Sequence, residues 1–260
     1  MQFNSVTQVY FSPNGTTEKV IQTIASGLSA QTITYDLLRN PLQEDVQIAA
    51  DSLLIVAMPV YAGRIPALCR EMISHLKGSK LPAIAVVVYG NRDYDDALLE
   101  LKDLLVQNDF CVVAAGAFIA QHSIFPQVGA GRPDEEDNKA MVAFAQKCSA
   151  LAAAYDADCT ATLNVKGNPQ YRAAGNVALK PTGDSKCTEC GACVKLCPTH
   201  SIPADDPQQT NKETCISCGA CIHVCPVQSR AFRGADYELT ASKFNKNCAE
   251  YKKPEVFYLE

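Results

Sequence analysis

"CTECGACVKLCP" (residues 187–198) and "CISCGACIHVCP" (residues 215–226) are two copies of one phrase, offset by 28 positions. Each reads C-x2-C-x2-C-x3-C-P, and nothing like either precedes Cys187. Cysteines at i, i+3 and i+6 wrap a tight loop whose thiolates converge, while the fourth, three residues further on, points away toward its neighbour. Neither copy completes a site alone, which is why the phrase is written twice. Gly191 and Gly219 are expected where a Cβ would crowd the loop or block an unusual dihedral. Pro198 and Pro226 fix the chain just after the crossing cysteine and stop a helix there.

This spacing is the run that holds 4Fe-4S clusters in bacterial two-cluster ferredoxins, where the fourth cysteine ligates the other cluster. One cluster is therefore expected on Cys187, Cys190, Cys193 and Cys225, and a second on Cys215, Cys218, Cys221 and Cys197. Zinc is the competing reading, but tetrahedral zinc pairs use two CxxC arms or histidines. His200 and His223 sit at no ligand position. The remaining cysteines, Cys69, Cys111, Cys148, Cys159 and Cys248, share no spacing. The first three fall in expected helices or strands and read as small core hydrophobes.

The chain has 260 residues, of which 47% are hydrophobic and 20% charged, the balance of a globular protein with a sizeable core. Thirteen cysteines without a secretory leader pattern point to a reducing, cytoplasmic setting rather than to disulfides. The longest apolar runs, "LLIVAM" from Leu53 and "CVVAAGAFIA" from Cys111, suit buried strands and are too short to cross a bilayer, so no membrane insertion is expected. A net charge of −5 without a Lys/Arg cluster lacks the footprint of a nucleic-acid binder.

Before the cysteines, two periods alternate. "SVTQVYFS", "TITYDLL", "SLLIVAMPVY", "PAIAVVVYG" and "FCVVAAGAFIA" read as five strands. Between and after them, "NGTTEKVIQTIASGLS", "IPALCREMISHL", "DDALLELKDLLVQN" and "DEEDNKAMVAFAQKCSALAAAYD" have helical spacing. Strands apolar on both faces and alternating with helices imply an α/β fold, a parallel sheet covered on both sides. The expected organisation is an α/β unit over residues 1–160, a linker over 161–184, the cysteine unit over 185–235, and a tail over 236–260 with a short helix and a strand-like "EVFYL".

Three loops fall at the carboxyl ends of strands, where open α/β sheets bind ligands. "SPNGTT" opens a helix and offers Ser12, Asn14, Gly15, Thr16 and Thr17 as a phosphate cradle of hydroxyls, amide and backbone N–H groups at the positive end of a helix dipole. It is neither a Walker loop nor a GxGxxG turn. "PVYAGR" brings Pro59, Val60, Tyr61, Ala62, Gly63 and Arg64, and "YGNRDY" brings Tyr89, Gly90, Asn91, Arg92, Asp93 and Tyr94. Tyr61 and Tyr94 offer faces for stacking on a flat, electron-accepting ring. Arg64 or Arg92 would meet negative charge on that ring when it is reduced. His122 in "QHSI", just after the fifth strand, is a candidate proton donor set against a purely structural role.

The three loops resemble the phosphate loop and the two flavin-flanking loops of flavodoxins, and the cysteine unit resembles a two-cluster bacterial ferredoxin. In this order the pair is similar to the flavodoxin-ferredoxin fusion proteins, the EFR-type ferredoxins of anaerobic bacteria and archaea, over residues 5 to about 235. The resemblance implies a flavodoxin-like doubly wound five-stranded parallel sheet of order 2-1-3-4-5, an α+β ferredoxin-like second domain, non-covalent FMN and two 4Fe-4S clusters. The loop departs from the flavodoxin pattern at Asn14, where a hydroxyl residue is usual, and Pro13 brings no N–H. The expected function is electron transfer between redox protein partners, a donor and an acceptor. The alternatives are a flavin-dependent oxidoreductase acting on a small substrate and a redox sensor without turnover.

Overall fold

A computed structural model describes residues 3–28, 31–156 and 161–260; Cys159 lies outside them. The α/β part runs β1 (Ser5–Tyr10), α1 (Thr16–Ser26), β2 (Gln31–Asp36), β3 (Val46–Gln47), β4 (Ser52–Pro59), α2 (Ala67–Ser74), β5 (Leu76–Lys77), β6 (Leu81–Tyr89), α3 (Ala97–Gln107), β7 (Phe110–Ile119) and α4 (Glu135–Ala153). The cysteine region contributes the short helices α5 (Ala192–Leu196) and α6 (Ala220–His223), and the tail contributes α7 (Ala235–Asn247) and β8 (Glu255–Tyr258).

The main sheet has the order β2-β1-β4-β6-β7-β8. Its first five strands are parallel and give the doubly wound, flavodoxin-like order expected from the sequence. β3 and β5 form a separate two-stranded parallel pair. Every residue of β4 and β6 is buried, as central strands covered on both faces require, whereas β2 at the edge is largely exposed. Alternation along β4 sends Leu54, Val56 and Met58 into one core with α2 and α3. Leu53, Ile55 and Ala57 go into the opposite core with α1 and α4. α4 starts on a capping box, in which the Asp134 side chain accepts from the Asp137 N–H and Asp137 returns the bond.

Two expectations need correction. The sheet has six strands rather than five, because the tail returns and β8 pairs antiparallel with β7, from Ala114 opposite Tyr258 to Ala117 opposite Glu255. This covers an edge that would otherwise expose unpaired backbone groups. The strands expected of the α+β cysteine unit are reduced to one bridge, Thr182 with Ala231. There the proline and cysteine loops leave little chain for a ladder.

The tail is fastened at several points. Asn91 Nδ2 donates to the carbonyls of Cys248 and Glu250, both at 2.8 Å. Arg132, ion-paired with buried Asp137, donates to the Lys252 carbonyl at 3.0 Å and lies 4.1 Å from the centre of the Tyr251 ring. The Tyr94 hydroxyl donates to Glu255 Oε2 at 2.7 Å. Tyr94→Phe removes that last bond and leaves a carboxylate that water can rehydrate, so denaturant unfolding should show a loss of roughly 1 kcal/mol. An unchanged midpoint would mean that β8 is held by its ladder alone.

Candidate functional site

A cleft of about 940 Å³ opens at the carboxyl ends of β1, β4, β6 and β7. Of the loop residues singled out in the sequence, Asn14, Thr16, Thr17, Pro59, Val60, Tyr61, Ala62, Gly63, Arg64, Tyr89, Gly90, Arg92 and Asp93 line it. Ser12, Gly15, Asn91 and Tyr94 do not.

The first loop is built around the start of α1. Gly15 takes a left-handed conformation with φ 77°, and Ser12 Oγ accepts from the Glu18 N–H at 2.9 Å. The Lys19 N–H is held by the Gly15 carbonyl at 3.0 Å. Among the described residues no partner takes the N–H groups of Thr16 and Thr17, two of the donors a helix start leaves over. Both residues line the cleft, and free N–H groups at a helix start suit an anion. Asn14 does something the sequence did not foretell: its Nδ2 donates to the Cys218 carbonyl at 2.8 Å, tying this loop to the second cysteine phrase.

The arginines are already engaged. Arg64 is buried and holds Glu100 through Nε at 2.8 Å and Nη2 at 2.6 Å. Glu100 also accepts from the Ile65 N–H at 3.1 Å and from Arg70 at 3.3 Å. Arg92 pairs with Asp95, which also holds Arg172 Nη1 at 2.5 Å. Neither Arg64 nor Arg92 is a free cation awaiting a reduced ring. Tyr94 is likewise turned away, buried against Tyr89 with Lys166 over its ring, and Asn91 serves the tail.

Tyr61 does line the cleft. Its backbone bridges Arg64 in a tight turn, and its hydroxyl is buried with no hydrogen-bond partner among the described residues. Burial, reinforced by the nearby Cys218 and Cys69 thiols, pushes that phenol well above its ordinary range. His122 also lines the cleft, packed on Phe125 and Phe244. Its Nδ1 accepts from the N–H groups of Ile124 and Phe125, both at 3.1 Å, so the ring proton belongs on Nε2. Burial, with Arg92 adding repulsion, lowers its pKa to about 4.

The rest of the wall comes from parts of the chain whose role in the cleft was not legible. Residues 174–179, 213–217 and four positions of α7 (Asp236, Leu239, Thr240 and Phe244) form its roof. Two of these segments are knitted together: Lys180 Nζ donates to the Cys215 carbonyl at 2.5 Å, and Ser217 Oγ donates to the Leu179 carbonyl at 2.7 Å. No local period marks a roof segment, because what it covers lies elsewhere in the sequence.

Cys215 and Ile216 line a second, smaller cavity as well. Around that cavity stand Cys215, Cys218 and Cys221 of the second phrase, with Cys197 of the first. That is the crossed set expected for one cluster. Of the other set, Cys193 is buried, Cys187 and Cys225 are half-buried and Cys190 is exposed. Backbone N–H groups point at three sulfurs: Ser201 to Cys197 Sγ at 3.3 Å, Ser217 to Cys215 Sγ at 3.4 Å and Ser229 to Cys225 Sγ at 3.2 Å. Burial pushes the Cys218 thiol up to about 12. At Cys225 burial acts the same way, but the backbone N–H groups from Val227 to Arg230 outweigh it and the thiol falls below its ordinary value. Gly191 and Gly219 are both left-handed, with φ 74° and 82°. Crowding applies to Gly219 alone, where a Cβ would lie 2.7 Å from Asn14 Oδ1, while Gly191 has open space.

Residues 179–226 match the 4Fe-4S dicluster domain family. The chain thus joins an α/β unit with a parallel sheet of flavodoxin-like strand order to a stretch similar to the 4Fe-4S dicluster domain family. That similarity supports a role in redox or electron-transfer chemistry. No curated protein matches the chain. Solved structures similar to it include a flavodoxin from the domain Archaea, at 10% identity and a TM-score of 0.40, covering 57% of this chain and 99% of that one. A WrbA-like flavodoxin from Agrobacterium tumefaciens is similar at 14% identity and a TM-score of 0.43, covering 59% and 99%. The rubredoxin oxygen:oxidoreductase of Desulfovibrio gigas is similar at 16% and 0.41, covering 58% and 37%. No described helix is long and apolar enough to cross a membrane.

The His122 ring has a consequence for pH dependence. The unfolded ring takes up a proton near pH 6.5, whereas the folded ring resists until about 4. The stabilisation is therefore complete above pH 6.5 and is lost as pH falls toward 4. Wild type should lose about 2 kcal/mol more than His122→Gln between pH 7 and pH 5. Chemical denaturation at both pH values checks this, and parallel losses would place the ring in water.

Proposed function

We propose that this protein is an electron carrier that couples non-covalently bound FMN in the large cleft to two 4Fe-4S clusters on the eight paired cysteines. The observation that carries the reading is the shared wall: Cys215 and Ile216 border both the cleft and the cavity of Cys197, Cys215, Cys218 and Cys221. FMN exchanges one or two electrons and each cluster one, so together they supply interconversion between the two kinds of chemistry.

The residues present fit these groups. Thr16 and Thr17 offer uncommitted N–H groups to a phosphate, with the positive end of α1 behind them. Asn14 keeps one amide hydrogen for the same purpose while its other holds the Cys218 carbonyl. Tyr61 and the His122 edge bound the cleft with flat surfaces, and α7 with residues 174–179 keeps bulk water from its roof. On the cysteine side, the N–H donors at Ser201, Ser217 and Ser229 stabilise thiolates. Exposed Cys190 marks the face on which an external redox protein would dock.

A second reading, an oxidoreductase acting on a small molecule, draws on the placement of Tyr94. With that ring in the core, Tyr94 does not close the cleft, whose volume of about 940 Å³ is at the upper end of the roughly 300–1,000 Å³ usual for ligand sites. A cleft that admits and turns over small electron acceptors in the flavin-loaded protein, with no protein partner present, would favour it.

Anaerobic purification with iron, sulfide and flavin assays tests the main reading, which expects about eight iron per chain and one FMN. Cys197→Ser should cost roughly half of the iron and one set of EPR signals, leaving FMN in place. If Cys197→Ser instead silenced the cluster of its own phrase, or if wild type bound iron without flavin, the crossed assignment or the flavin site respectively would fall.

A further inference from the structure

Arg230 is 2% exposed, yet among the described residues it has no carboxylate partner. Its Nη1 is held by the Pro207 carbonyl and by that of Gln209 at 3.2 Å. Its Nη2 is held by the Pro181 carbonyl at 2.8 Å and by the Thr210 hydroxyl. Nε is buried with no nitrogen or oxygen partner among the described residues, and the guanidinium lies within hydrogen-bonding reach of the Cys221 thiol. The two other buried arginines are different: Arg64 and Arg132 each grip a buried carboxylate, Glu100 and Asp137. A buried guanidinium surrounded by neutral groups is costly unless a counter-charge completes the site.

The internal repeat shows that this charge is not required by the local architecture. Arg230 follows Cys225 by five residues, as Ile202 follows Cys197. Ile202 is buried and packs with Cys193 and Cys221 in a small apolar cluster. The same place in the second phrase could thus be filled by an aliphatic side chain, and it holds a cation instead. Arg230 borders the cavity ringed by Cys197, Cys215, Cys218 and Cys221.

We propose that Arg230 is the built-in counter-cation of the cysteine set around this cavity and holds up the reduction potential of the cluster that set carries. This rests on the reading of those cysteines as cluster ligands. A cluster bound by four thiolates is an anion before it accepts an electron and more negative after. Reduction takes one electron from an external donor with no bond made or broken in the protein. A fixed positive charge in a medium that screens poorly favours the reduced form over the oxidised one. Arg230 acts through that cluster and touches no substrate; it is a positioning charge rather than a catalytic residue.

The test is a mediated dithionite titration followed by EPR on the full chain purified anaerobically, with iron and sulfide measured on the same samples. Arg230→Ile puts the residue of the first phrase into the second, and Arg230→Lys keeps the charge without the forked bonds. In Arg230→Ile, the cluster on Cys197, Cys215, Cys218 and Cys221 should bind its electron about tenfold more weakly, a fall of about 59 mV for a one-electron couple. Arg230→Lys should stay within about threefold of wild type. Full iron and unchanged potentials in Arg230→Ile would overturn the proposal. If Arg230→Ile retains no iron, Arg230→Lys decides: a wild-type potential supports the proposal and a tenfold loss of electron affinity refutes it. Loss of iron from both variants, with wild type loaded, would make Arg230 a strut and also refute it. Wild type without iron would instead remove the cluster reading beneath it.

Discussion

The hydrogen bond from Asn14 to the Cys218 carbonyl, with the apolar seam around it, is the contact on which the site depends. It joins the start of α1 to the loop before α6, across 204 positions of sequence. The bond alone is worth about 1 kcal/mol net. Beside it Cys218 and Ala220 are buried in the same core as Val56, Met58 and Leu98, with Ile216, Leu196 and Tyr61 packed at its margin. The cysteine region is therefore seated on the sheet rather than tethered to it. Were it only tethered, the cleft would lose residues 213–217 from its roof, and Cys215 would border one cavity instead of two.

The same seating explains where the polar side chains of the cleft loops have gone. Arg64 is tied to Glu100, Arg92 and Arg172 to Asp95, and Asp93 to Lys166 at 3.1 Å. These pairs carry charge through a partly buried region without leaving a bare ion. They also fix the two flanking loops against α3 and against residues 166–172 of the connecting segment. That segment behaves as a structural element without regular structure: Asp96 accepts from the N–H groups of Asn168 at 2.8 Å and Arg172 at 2.7 Å, and Tyr171 donates to Asp103 at 2.5 Å.

The regular parts of the fold were legible in the amino-acid sequence because their signals are local. The five parallel strands and four helices of the α/β unit follow from apolar runs and from the 3.6-residue helical period. The departures at Tyr94, Asn91 and Asn14 involve partners distant in sequence. Tyr94 looks like a stacking face until Glu255 takes its hydroxyl, and Asn91 looks like a ring-edge ligand until the tail carbonyls claim its amide. Asn14 reads as a flawed phosphate residue until Cys218 comes within reach. Strand β8, four residues long and paired along one edge, carries too little pattern to be assigned to the sheet from "EVFYL" alone.

Tyr61 shows how position, rather than hydrogen bonding, sets this site. A phenol hydroxyl buried without a partner costs about 1–3 kcal/mol, so the ring must be held by something stronger. Its backbone exchanges two hydrogen bonds with Arg64, at 2.8 and 3.2 Å, around Ala62 and Gly63, both in left-handed conformations. A Cβ on Gly63 would meet Asp95 Oδ2 at 2.2 Å, so the turn is fixed from outside as well as within. Burial, with the Cys218 and Cys69 thiols adding to it, holds the phenol in its neutral form. The turn thus presses a flat apolar face between the cleft and the second cysteine phrase, and tolerates an unsatisfied oxygen to keep it there.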